Sequence, residues 1–221
     1  MSVDTVKWSF SGLKDYVNCP RQYYETKVAK SFVKAVTVQM RYGTEVHKAL
    51  EDYTAEGKPL PKNYQRFKAI LDEFLAIPGT KYPEHRMALR IDRTPCKFGD
   101  ADYWVRGIAD LLIVDGDTAY VVDYKTGSNK YPDPDQLKLM ALMTFAHFPE
   151  VNHVKGGLMF VMHNSFISED YTRDDIDSLW AVFSPKLQRL AMSVQTNSWP
   201  ENPTPLCGWC PVKTCKFHKE R

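Results

Sequence analysis

No stretch of this 221-residue chain approaches the length of apolar sequence needed to cross a bilayer. Its opening residues, MSVDTVKWSF, also lack the apolar run of a secretory signal peptide. Both absences predict a cytoplasmic protein with no membrane partner. A Ser- or Gly-rich linker is missing too, so one domain spanning 1–221 is expected, with at most a small appendage. No G-x-x-x-x-G-K-[ST] segment occurs, which excludes a P-loop motor within the chain. Cysteine is scarce and odd in number, five in all, and this argues against a disulfide framework. Net charge is only +2, too weak for the field of the whole molecule to argue for a nucleic-acid partner.

What is present is ordinary globular composition, 43% hydrophobic and 25% charged, which separates the chain from disordered sequences. Basic residues cluster at Lys27, Lys30 and Lys34 and again at Lys213, Lys216, Lys219 and Arg221. They would form a phosphate-facing stripe if the chain ends met, although charge alone reads more simply as solvated surface.

Helical spacing of apolar residues predicts helices over 9–24, interrupted at Cys19-Pro20, from about Tyr42 through Tyr53, and over 63–76. The second of these sets His47 and Glu51 one turn apart. From Arg86 the period changes to two, predicting strands over 86–92, 103–114 and 118–125. Gly116 suits the first central position of a type II′ hairpin turn between Asp115 and Thr118. Asp133-Pro134 opens a helix over 135–147, strands follow over 154–162 and 166–171, and Thr172 with Asp175 forms a capping box. Pro185 is expected to kink or divide the last helix. The fold class is α/β, a central mixed sheet flanked by helices.

If the turn is centred on Gly116-Asp117, antiparallel partners have numbers summing to 233, and Asp110 lies opposite Asp123. Lys125 shares their face because side chains alternate. Two carboxylates facing each other on buried strands repel, and a divalent cation such as Mg²⁺, which is hard and prefers oxygen, would compensate. The chemistry implied is phosphodiester hydrolysis, with Lys125 positioning the nucleophile or stabilising developing charge. An Asp–Lys–Asp ion network of purely structural purpose is the bland alternative.

Gly43-x-x-x-His47, Gly107-Ile108-Ala109-Asp110, Val122-Asp123-Tyr124-Lys125-Thr126-Gly127 and a following helix with Gln136 resemble, in order and spacing, the motifs of RecB-like PD-(D/E)XK nucleases. That group includes the RecB and AddB nuclease domains, the iron–sulfur nucleases of CRISPR adaptation and many phage exonucleases. The resemblance spans Ser9 to His218. It implies a restriction-endonuclease-like core in which Asp110 and Asp123 bind Mg²⁺ or Mn²⁺, Lys125 is the catalytic lysine, His47 is a further metal ligand, and Gln136 braces the site or touches DNA. Glu51 is read as exposed or merely near the site. The family's Gln motif commonly continues with a Tyr four residues later, where this chain has Met140.

Cys207, Cys210 and Cys215 crowd into nine residues and need a fourth soft ligand. His218 would complete a local Cys₃His zinc site. Cys19 would instead complete a Cys₄ site able to hold a 4Fe–4S cluster. The element Cys19-Pro20-Arg21-Gln22-Tyr23 is similar to one in the clustered RecB-like nucleases, and this resemblance favours the cluster, with residues 1–30 and 200–221 forming a clasp. Cys96 fits no pattern and is expected to be structural.

The expected function is therefore a metal-dependent DNA exonuclease that processes ends. Two other classes compete with it, a non-cutting DNA-binding recombination accessory module and a zinc-stabilised interaction protein. Helicase action would need a separate helicase or recombination protein. Small size and the missing motor suggest a phage or mobile-element setting, hence a host cytoplasm.

Overall fold

The computed structural model describes residues 6–130, 132–163 and 165–219. It contains two compact units, Thr37–Trp180 and Met1–Val36 taken with Ala181–Arg221.

In Thr37–Trp180, six strands form one sheet in the order β2-β1-β3-β4-β5-β6. They are β1 (Thr80–Leu89), β2 (Pro95–Cys96), β3 (Val105–Asp115), β4 (Thr118–Lys125), β5 (His153–Phe160) and β6 (Ser165–Thr172). Only β4 and β5 run parallel, joined by α5 (Asp135–His147), so the sheet is mixed. This is the expected α/β core. The Gly116 turn is as expected, with φ of 58° and Asp115 paired to Thr118.

Helices α3 (Val38–Glu56) and α4 (Lys68–Ala76) cover one face of the sheet. Val46, Leu50, Leu71 and Phe74 bury against Leu111, Ile113, Val122, Tyr124 and Met159. Burying one such side chain contributes about 1.5–3 kcal/mol, so this layer is what seats α3 on the sheet. α3 begins four residues before Tyr42, because Thr37 caps it by accepting from the Met40 N–H. It stops at Gly57, which is left-handed at φ of 66°. The first turns of the helix expected over 63–76 are 3₁₀, Lys62–Phe67. α5 lies on the other face and is apolar almost all round, as a helix buried on most sides must be. Gly107 of β3 lets it approach, since a Cβ there would overlap the Met140 side chain. Pro134 is the N-cap of α5 rather than its first helical residue.

β1 starts six residues before the expected strand and ends at Leu89. Residues beyond it turn back, with Arg90 N–H donating to the Thr94 carbonyl. Pro83 is tolerated inside β1 because β2 reaches only Ala88 and Leu89, leaving Pro83 with a partner strand on one side alone. The alternation of β1 slips by one residue at Glu84. Tyr82 and His85, three apart, both place their rings against Phe148, at 5.5 and 5.7 Å. Glu84 itself is left-handed, at φ of 47°.

In the other unit, α1 (Phe10–Asn18) is capped by Ser9, and α2 (Pro20–Tyr23) runs into a π turn over Tyr24–Val28. α6 (Ile176–Thr196) begins in the sheet-bearing unit behind the Thr172–Asp175 capping box and continues into this one. Pro185 does not divide it. The missing hydrogen bond is outweighed by burial after the proline, where Leu187 and Leu190 are in the core, and before it, where Phe183 packs on Trp8. The Tyr16 hydroxyl meets Ser193 Oγ at 2.8 Å, and Trp199 packs on Tyr23 and Tyr24. Arg21 N–H donates to the Pro200 carbonyl and Asn202 Nδ2 to that of Asn18, so the two chain ends are hydrogen-bonded together. Of the basic clusters, Lys27 and Lys34 both pair with Asp15, and Arg221 lies outside the described residues. Among the described residues no helix is long and apolar enough to cross a membrane.

Candidate active site and cysteine cluster

The β3–β4 ladder follows the predicted register from Asp115↔Thr118 to Leu111↔Val122 and stops there. Asp110 and Asp123, the next positions in the expected register, are not a hydrogen-bonded ladder pair. Asp110 turns one oxygen, Oδ2, to the Tyr124 N–H at 2.6 Å, taking a main-chain donor that a continued ladder would have used. Its other oxygen, Oδ1, lies 3.4 Å from His47 Nδ1.

His47 comes to this point from α3, whose Gly43 lies close to Thr126, just past β4. A Cβ at Gly43 would sit 3.1 Å from Thr126 Oγ1. The third member of the group is Glu84. Its left-handed backbone occupies the gap between the pairs Pro83↔Leu111 and His85↔Ala109, facing Asp110 across β1 and β3. Ligand atoms of His47, Glu84 and Asp110 lie within 4.8 Å of one another, an arrangement able to hold a divalent cation. The two carboxylates offer the oxygen donors that a hard divalent cation takes.

Asp123 is 5% exposed and sits to one side, tied to Lys125 and Gln136. Lys125 Nζ is 2.6 Å from Asp123 Oδ2 and donates to Gln136 Oε1 at 2.7 Å, while Gln136 Nε2 donates to Asp123 Oδ1. The ammonium pairs with Oδ2, an oxygen whose remaining lone pair could still take a cation. Burial and then the Asp110 charge push the Asp123 carboxyl up to about 6, against the opposing pull of Lys125. Burial, Asp110 and Glu51 likewise raise Glu84. Burial disfavours a charged His47, but the Asp110 bond and charge, with Asp123 and Glu84, outweigh it and hold the imidazole above its ordinary value. Three carboxylates with one shared deficit of positive charge are what a cation would relieve.

The structure thus brings His47, Asp110, Asp123, Lys125 and Gln136 into one neighbourhood. Glu51 is held by Lys48 at 3.0 Å. Met140, where the resembling family has Tyr, is buried and covers Gly107. Glu84 was missed by the sequence reading, because the strand was begun at Arg86 and no residue pattern announces a left-handed glutamate.

Cys19, Cys207, Cys210 and Cys215 belong to the unit formed by the chain ends. Burial pushes the Cys210 thiol up, a Val212 N–H bond opposes this, and Cys19, Cys215 and Cys207 each raise it further, so the four thiols are neighbours. Thr204 N–H donates to Cys207 Sγ at 3.3 Å. No three of these sulfurs, with or without His218, lie within 4.8 Å of one another among the described residues. Tetrahedral zinc, with bonds of about 2.3 Å, would draw sulfurs to roughly 3.8 Å. Cys96 is buried at the β1–β2 pairing.

A family model described as the PD-(D/E)XK nuclease superfamily matches residues 7–93 and, overlapping them, 78–215. The protein solved as SSO0001 is similar in fold, with a TM-score of 0.52 at 15% identity over 97% of this chain and 88% of that one. A protein from Eubacterium rectale described as a candidate exonuclease is similar at a TM-score of 0.50 and 12% identity, over 95% of this chain and 86% of that one. No curated protein sequence matches the chain.

Proposed function

This chain belongs to the PD-(D/E)XK nuclease superfamily, and from that premise we propose that it is a RecB-like, Mg²⁺- or Mn²⁺-dependent DNA exonuclease that processes DNA ends. The observation that carries this reading is the grouping of His47, Glu84 and Asp110 beside the Asp123–Lys125–Gln136 network. His47, Glu84, Asp110 and Asp123 would hold the cation, which supplies positive charge to the phosphodiester under attack. Lys125, fixed at once by Asp123 and Gln136, presents its ammonium at the reacting phosphate and offsets the charge that develops there. Gln136 keeps both partners in place without adding charge. The group at the chain ends, Cys19, Cys207, Cys210 and Cys215, is read as the seat of a structural 4Fe–4S cluster, a reading supported by the electrostatic influence of Cys19, Cys207 and Cys215 on the Cys210 thiol. Phosphodiester hydrolysis needs no redox step, so the cluster's contribution is to tie residues 1–30 to 200–221. Unwinding of a duplex would come from a separate helicase or recombination protein.

Digestion of end-labelled single- and double-stranded DNA, linear and circular, with Mg²⁺ or Mn²⁺ tests the reading. Degradation of linear DNA with circular DNA spared is expected. Cutting of circles would make the enzyme an endonuclease, and binding without any cutting would favour a recombination accessory module.

A further inference from the structure

Beside the metal-binding group, on β1 and β3, lies a cluster that the reaction chemistry does not use. Arg86 and Arg106 occupy diagonal positions in neighbouring rows, Arg86↔Ile108 and Ala88↔Arg106. Both guanidinium groups stack on one ring, Phe98, at 5.5 and 5.1 Å from its centre, and Arg106 also lies 4.8 Å from that of Tyr103. His85 packs towards Phe148, and Gly107 towards Met140 and Met143, so Arg86 and Arg106 occupy the opposite face, that of α3 and His47. Arg86 is near enough to Glu84 for its charge to act on that carboxyl.

The charges around this cluster are unevenly satisfied. Arg90, on the same sheet edge, pairs with Asp102 at 2.6 Å and with Asp100 at 3.6 Å, anchoring the loop that carries Phe98 and Tyr103. Arg86 and Arg106 have no carboxylate within ion-pair distance among the described residues. Two like charges converging on one ring repel, and stacking on Phe98 offsets this only in part. A guanidinium finds its strongest partner in a carboxylate or phosphate.

We propose that Arg86 and Arg106, with Phe98 and Tyr103, form a nucleic-acid track that grips the phosphates flanking the one being cut. This rests on the nuclease reading above. Strand geometry sets Arg86 about 7 Å beyond Glu84 and the Arg106 row about 14 Å beyond it, so the track leads directly away from the metal-binding group. Its occupant is a DNA strand held through its phosphates, because Phe98 is already covered by the two guanidinium groups and serves to hold them in place.

The test is binding of a fluorescein-labelled oligothymidylate in EDTA, followed by anisotropy over a range of NaCl concentrations. Removing two phosphate contacts with Arg86→Gln/Arg106→Gln should reduce the slope of log K against log salt by about 1.4, and weaken binding at low salt by roughly tenfold or more. Arg86→Lys/Arg106→Lys keeps both charges and should hold the wild-type slope, as should Lys155→Gln on β5. An unchanged slope in the glutamine pair, from a wild-type protein that cuts DNA, overturns the track alone. Equal losses in the glutamine and lysine pairs would trace the effect to packing on Phe98 and overturn it as well. A wild-type protein that neither binds nor cuts DNA overturns the track and the nuclease reading together.

Discussion

Glu84 and Asp110 face each other across β1 and β3, two carboxylates in a gap of the ladder, with His47 completing the group. Glu84 reaches this place through a left-handed backbone, which costs a non-glycine residue about 1–2 kcal/mol, and it adds a like charge to a half-buried site. Neither cost serves the fold. Glu84→Gln should therefore leave the melting temperature in EDTA unchanged or higher, while abolishing the rise that Mn²⁺ gives the wild type. Cleavage should fall by about 10²-fold or more. Wild-type cleavage by this variant at limiting Mn²⁺ would remove Glu84 from the site.

Gln136 touches both Asp123 and Lys125, and its loss should be felt in turnover more than in binding. Gln136→Ala is expected to lower kcat by roughly 10–100-fold with a small change in KM, the usual consequence of freeing a reacting side chain. Asp110→Ala, Asp123→Ala and Lys125→Ala should each abolish cleavage, with DNA binding surviving in at least one. Full activity in Asp123→Ala would sink the site as drawn.

The hairpin that carries Asp110 and Asp123 was legible because Gly116 marks the turn and a two-residue turn sets the register of everything behind it. The hydrogen-bonded ladder stops one pair short of the two carboxylates, at Leu111↔Val122. Helices were visible as apolar spacing, yet the Thr37 cap of α3 was hidden between Val36 and Val38, outside the spacing that marked the helix. Glu84 was illegible for a deeper reason. Residue type predicts left-handed backbone at glycine or asparagine, and a glutamate adopts it only where the surrounding strands dictate it. Arg86 and Arg106 read as ordinary strand residues until the 97–104 loop placed one ring under both.

Burial lowers the pKa of His85 and of His147, and His147 lowers that of His85 further. Both are therefore neutral more often in the folded than in the unfolded chain. Their contribution is complete above the ordinary histidine pKa of about 6.5 and is lost as pH falls through the lower folded values. The raised carboxyls of Asp123 and Glu84 act in the opposite sense, so the comparison must be between variants. In EDTA, the fall in melting temperature from pH 7.5 to 5.5 should be shallower in His147→Gln than in the wild type. Parallel profiles would show that His147 titrates alike in both states.

Gly79 precedes β1 at φ of 99°, and a Cβ there would overlap the Val114 carbonyl of β3. The obstruction is backbone on both sides, so no rotamer change can relieve it. Gly79→Ala should destabilise the protein by about 2–4 kcal/mol, read as a drop in the urea midpoint. A change under about 0.5 kcal/mol would mean that the start of β1 can shift without cost.

The four cysteines separate two metals by their partners. A cluster held by Cys19, Cys207, Cys210 and Cys215 closes a loop of nearly the whole chain, and such a cross-link restricts the unfolded ensemble. Anaerobically purified protein should then be brown and carry about four irons per chain. Cys19→Ala should lose the iron and melt lower, whereas His218→Ala should keep it, since the four-cysteine site does not use His218. A zinc site built from the tail would reverse both results, because it needs His218 and not Cys19. A colourless protein with one zinc, indifferent to Cys19→Ala and disrupted by His218→Ala, would show that the sulfurs close around a single ion when metal is present.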